Sequence, residues 1–151
     1  MPQFPKTAAK FSEAQFFLRQ LEAEIGQLDR DRALFCYYLS AFLAAGRSVT
    51  LFARLDAPSR YEAIYAAWER DLDTADRMLW VRINTIGMPF FDSMGTVGVH
   101  IIAEYFDVKG RRQEVMTTCR RYLYLVDQLI TRLNAPQAPP TGRAQSTKAS
   151  G

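Results

Sequence analysis

Between Val115 and Leu133 the apolar residues return in alternating steps of four and three: Val115, Cys119, Tyr122, Val126, Leu129, Leu133. A helix turns once in 3.6 residues, so this spacing places all six side chains on one face; a strand would scatter them over two. One apolar stripe on a long helix has to be buried against other helices. Asn134 and Pro136 end the pattern, because proline cannot continue a helix.

Three upstream segments supply the partners. In "FSEAQFFLRQLEAEIGQL", Leu18, Leu21, Ile25 and Leu28 form a stripe. Ser12 and Gln15 have the spacing of a capping box, and Phe11 and Phe16 stand at staple positions. "RALFCYYLSAFLAAGRSVTLFARL" predicts a second helix with Phe35, Tyr38, Leu39, Phe42 and Val49 on a shared face. Its small residues, Ala41, Ala44, Ala45 and Gly46, admit another helix at close range, from the same chain or from a second copy. Asp56-Ala57-Pro58 stops it. A third helix opens on a capping box at Ser59 and Glu62 and buries Tyr61, Ile64, Tyr65, Trp68 and Leu72. Asp71, Asp73 and Asp76 interrupt its pattern, so it is expected to bend or break near residue 73, with Thr74 capping a continuation to Ile86.

"GTVGVHIIAEYF" differs in kind. It is β-branched and alternates Val97, Val99, Ile101, Ala103 and Tyr105, which predicts a strand or short hairpin. A lone strand leaves its backbone unpaired, so its partner is expected near Phe90–Phe91 or in a second subunit. The expected architecture is therefore mainly α: an up-and-down four-helix bundle over 11–134 with a β insertion at about 95–108. Residues 1–10 read as a lead-in. The segment 135–151, without a large apolar residue, reads as a disordered tail.

Composition narrows the function classes. The net charge is +3, but two of the 19 basic residues, Arg143 and Lys148, and none of the 16 acidic ones lie in the final segment from Asn134. The body is near neutral, which argues against a broad nucleic-acid surface; the pairs Arg111-Arg112 and Arg120-Arg121 read as solvated helix faces. No apolar run is expected to span a membrane, and the start lacks the apolar core of a secretory signal, so the expected location is cytoplasmic. Cys36 and Cys119 stand apart within helical patterns and read as buried thiols. A di-metal bundle centre needs Glu-x-x-His on two helices. His100 is the chain's one histidine and follows no such pattern, so no metal or other cofactor is expected. Glu13, Glu22, Glu24, Glu62 and Glu69 read as caps and solvent faces. No nucleophile elbow or phosphate-binding glycine loop is present, and Ser48 and Thr50 read as helix–helix hydrogen-bonding groups.

Arg82 is the residue that most needs an explanation. It sits in "MLWVRINTIGMP", among Met78, Leu79, Trp80, Val81, Ile83 and Ile86, just before a helix stop. A guanidinium keeps its charge inside a protein, so burial demands a partner. Two explanations fit: an ion pair to an acid such as Asp76 or Glu104, or its head in water, on the one hand, and an anion-binding arginine on the other. Asn84 supplies a nearby amide, although an ideal helix points it elsewhere. Arg47, beside the small-residue patch, is a second anion-binding candidate that could instead pair with an acid of the first helix.

The order of these parts, with "FCYYLSAFLAAGRSVTLF", the Trp-bearing "YEAIYAAWERD", an arginine closing the third helix, a β insertion and "TTCRRYLYLVDQLI", resembles a bacterial subgroup of the HEPN superfamily over about Phe11 to Leu133. The resemblance implies a helical bundle, commonly dimeric, from a group that includes metal-independent RNases of toxin–antitoxin and defence systems and inactive partners of such enzymes. Its active motif is an arginine followed four to six residues later by histidine. Arg82 matches the arginine, but Gly87, Met88 and Pro89 stand where the histidine would fall. None of these can move the 2′-hydroxyl proton as histidine does near neutral pH. The expected protein is thus a dimerising interaction protein, with RNA or a protein as partner, that holds anions without cutting. Two alternatives fit the same residues: an RNase in which His100 or Tyr105 replaces the missing acid/base, and a purely structural interaction module.

Overall fold

The computed structural model describes residues 4–25, 32–86 and 112–136. Five helices lie among them: α1 (Pro5–Glu24), α2 (Arg32–Asp56), α3 (Pro58–Asp71), α4 (Thr74–Ile86) and α5 (Arg112–Asn134). The protein is mainly α. The expected strand at 95–108 and the tail lie outside the described residues.

α5 is the hub, packing against each of the other four helices. All six residues of its stripe are buried. Fully burying a side chain of this size stabilises by about 1.5–3 kcal/mol, so this one face anchors the core. α1 and α2 pack as an antiparallel pair. The start of α1 meets the end of α2, where Asp56 accepts hydrogen bonds from the Thr7 backbone N–H (3.0 Å) and hydroxyl (2.8 Å). A carboxylate at a helix N-terminus satisfies an orphan amide and complements the dipole. α1 therefore starts at Pro5, with proline in its first turn, and Ser12 lies within the helix instead of capping it.

The small-residue patch of α2 is divided between two faces. Ala45 and Gly46 are buried. A Cβ on Gly46 would stand 2.7 Å from Cε1 of Tyr122, so glycine is what lets α5 lay its tyrosine ring across α2. Ala41 and Ala44 are half-buried on the outer side. By length and composition Ala33–Asp56 is long and apolar enough to cross a membrane, which corrects the expectation that no run reaches that length. In this fold its inner face, Phe35, Leu39, Phe42 and Val49, belongs to the bundle core.

The break at residue 73 occurs as expected, and Asp73 makes it. Its carboxylate accepts a hydrogen bond from the Asp76 N–H at 2.8 Å, so Asp73, not Thr74, caps α4. Arg77 reaches back to the Glu69, Arg70 and Leu72 carbonyls that end α3. α3 itself begins on Pro58 with no side-chain cap; the Ser59–Glu62 box does not form, and Glu62 pairs with Arg54 at 2.9 Å.

Candidate functional site

Aromatic rings link four helices. Phe42 of α2 meets Tyr122 of α5 edge-on, Tyr122 meets Trp80 of α4, and Trp80 packs against Trp68 of α3 at 4.6 Å between centroids. Tyr65 continues the series and stacks on Tyr61. Trp80 donates its indole N–H to the Tyr65 hydroxyl at 2.8 Å. These contacts fix how α3 and α4 stand beside α2.

Where those helices diverge from α2 they leave a cleft of about 600 Å³, a volume within the usual range of small-ligand sites. α2 contributes Ala44, Arg47, Ser48, Thr50, Leu51 and Arg54; α3 contributes Tyr61 and Tyr65; α4 contributes Trp80 and Asn84. The spacing of the α2 residues explains their convergence: 44, 47, 48, 51 and 54 recur at three and four along one helix face.

Two guanidiniums border the cleft. Arg54 is engaged, paired with Glu62 and lying 5.4 Å over the Tyr61 ring. Arg47, one of the residues singled out in the sequence, is half-buried. Desolvation lowers its proton affinity, and the neighbouring Tyr122 phenol opposes that effect; it stays charged regardless. Burial pushes the Tyr61 phenol up to about 12 and Tyr122 well above the ordinary tyrosine range. Both are neutral hydrogen-bond donors at physiological pH. Asn84, the second residue named from sequence, gives an amide N–H to the Trp80 carbonyl at 2.8 Å and still borders the cleft. Ser48 and Thr50 donate to the Ala44 and Arg47 carbonyls, both at 2.8 Å. The Ser48 hydroxyl is turned back onto α2, whereas that of Thr50 also meets the Tyr61 phenol of α3, the helix–helix bond expected of it.

Arg82 stands elsewhere. α4 buries Asp76, Trp80 and Ile83, while Met78, Val81 and Arg82 face outward and are exposed. The guanidinium at the end of an apolar helix needs no buried partner because it is not buried. Asp76, the acid expected to pair with it, is gripped by Arg121, Nε to Oδ1 at 2.8 Å and the terminal nitrogen to Oδ2 at 2.5 Å. Glu104 and His100 lie outside the described residues. Arg120, expected as one of a solvated pair, is exposed and bonded to Glu22 at 2.9 Å. Both cysteines are buried, and burial drives the Cys119 thiol strongly up. No group of three or more His, Cys, Asp or Glu side chains comes together among the described residues.

Sequence reasoning named Arg47 and Asn84 separately and missed what joins them. The contact between α4 and the Tyr122-bearing helix depends on long-range ring packing that no local pattern encodes. The available signal was Gly46: a glycine inside a helix marks a close approach, and the residue beside it is Arg47. The chain matches no family profile, no curated protein and no solved structure.

Proposed function

We propose that this chain is a HEPN-like, cytoplasmic interaction protein that holds a phosphate-bearing partner, RNA, at the α2–α3–α4 cleft without cutting it. It fits a toxin–antitoxin or defence system of the kind the resemblance implies. The observation that carries this reading is the half-buried Arg47 in a cleft with aromatic walls. A guanidinium offers five donors in a fixed fork that matches phosphate oxygens, and partial desolvation strengthens that attraction. Aromatic side chains beside it suit unstacked bases. Among the described residues the cleft brings no histidine to Arg47, and its tyrosines, Tyr61 and Tyr65, are poor bases because burial favours their protonated form. Arg82 has neither cleft nor companion among the described residues, so the anion site belongs to Arg47.

Dimerisation is part of the same reading. Tyr37, Leu51 and Leu55 stand 57%, 57% and 63% exposed on α2. They line up with the half-buried Ala41, Ala44 and Ser48 at three-and-four spacing; Ala44, Ser48 and Leu51 also border the cleft, so the second copy would sit along its α2 rim. Apolar side chains flanking small ones form a face that a second copy would cover. The strand expected at 95–108 would offer that copy a further pairing edge.

The test is single-stranded RNA incubated with the protein in chelator, with binding read by anisotropy and integrity by denaturing gel. Saturable, salt-sensitive binding with intact RNA is expected. Metal-free cleavage abolished by Arg82→Ala would contradict the reading.

A further inference from the structure

Arg47 and Arg54 stand seven residues apart on α2, and both border the cleft. Seven residues make nearly two whole turns, so the two side chains leave the helix on one face, separated by roughly 10 Å of rise along its axis. Tyr61 and Tyr65 form the α3 wall of the same cleft. Two contacts of different kinds hold Arg54. Its guanidinium carbon lies 5.4 Å over the Tyr61 ring, and a contact with the ring face consumes none of the in-plane N–H donors. Its Nε meets Oε1 of Glu62 at 2.9 Å, with the two side chains 60% and 66% exposed. An ion pair so open to water contributes at most about 1 kcal/mol, and a phosphate competes for the same fork with a bidentate grip.

We infer that Arg54 is a second phosphate-binding residue of the cleft, held ready by Tyr61 and occupied by Glu62 until a ligand displaces that carboxylate. The site then takes a chain of nucleotides carrying two separated phosphates in preference to a mononucleotide. The inference rests on the cleft being the anion site. Arg47 holds one phosphate, Arg54 exchanges Glu62 for another within its reach, and the nucleotide that joins them lies against the Tyr61–Tyr65 wall. Glu62 sets the affinity, because every binding event at Arg54 has to break its ion pair.

The experiment is isothermal titration calorimetry at one salt concentration, with a 5′-phosphorylated mononucleotide and a 5′-phosphorylated trinucleotide of RNA as probes. It compares the full chain with Arg47→Ala, Arg54→Ala, Glu62→Gln and the double variant of Arg54→Ala with Glu62→Gln. The parent is expected to bind the trinucleotide more tightly. Arg54→Ala should weaken the trinucleotide about tenfold, the scale of a charge-assisted contact, and the mononucleotide by less than about twofold. Glu62→Gln should strengthen the trinucleotide about two- to fivefold, the size of an exposed ion pair, and that gain should vanish in the double variant. A gain in affinity is a readout that a misfolded variant does not give. Trinucleotide binding by Arg54→Ala within about twofold of the parent, with Arg47→Ala weakened, would remove Arg54 and leave the anion site. A Glu62→Gln gain that persists in the double variant would show a background charge and no competition for the fork. Equal affinity of the parent for both probes would leave a single phosphate position. A parent chain that binds neither probe would remove the inference together with the cleft.

Discussion

At Gly46, the smallest side chain in the protein decides where one of the largest buried ones goes. A methyl group there would meet the Tyr122 ring at 2.7 Å, and that ring is held by Phe42 and Trp80. Gly46→Ala is therefore expected to destabilise by about 1–3 kcal/mol, the range for overpacking a filled core, although alanine is the better helix former. Urea unfolding monitored by circular dichroism measures it; a stabilised variant would mean that the ring moves freely. Asp76 gives a second residue-scale prediction. The hydrogen bonds from Arg121 hold its carboxyl below the usual carboxylate range. A depressed folded-state value means the pair stabilises in full above the unfolded value of about 4 and loses that contribution as pH falls through the folded one. Arg121 is 47% exposed, so solvent screening limits the effect to roughly 1 kcal/mol. Asp76→Asn is expected to flatten the fall in stability below about pH 4, as pH-dependent unfolding would show.

At the scale of elements, the helices were legible wherever spacing alone decides burial. Val115, Cys119, Tyr122, Val126, Leu129 and Leu133 read as one stripe and are one stripe. The interruption at Asp73 was legible too, because three aspartates fall where apolar residues should recur. The ends were harder. Ser12 and Ser59 have capping chemistry but lie inside helices that start at prolines, and α1 is capped by Asp56 from 49 residues away. A long-range cap leaves no local signature. Asp73→Ala should cost about 1 kcal/mol, as loss of a helix cap does, and should raise amide exchange in the first turn of α4. Unchanged exchange there would place the break elsewhere. Arg82 stays open at the level of sequence for a related reason: its apolar neighbours allow either a buried ion pair or a head in water, and only the structure shows it exposed, beside the exposed Met78 and Val81.

For the whole molecule, the broken third helix and the small-residue patch act together. The patch lets α5 close on α2, α5 carries Tyr122 against Trp80, and the turn at residue 73 sets α4 at the edge of the cleft. Sequence supplied Arg47 and Asn84 as candidates and preferred Arg82, because only packing across α2, α4 and α5 shows which arginine has a pocket. Covering the outer face of α2 is expected to give a dimer in sedimentation equilibrium, and Ala41→Arg to return it to a 17.2 kDa monomer; a parent chain that is monomeric throughout would set the second copy aside. The central claim concerns the choice of arginine. It is tested most directly by the affinity of one single-stranded RNA for Arg47→Ala and Arg82→Ala, measured at the same salt concentration. Arg47→Ala should weaken binding about tenfold or more, as loss of a charge-assisted contact does, with Arg82→Ala within about twofold of the parent, the small effect of an exposed charge. The reverse order would return the site to the end of α4 and contradict the account.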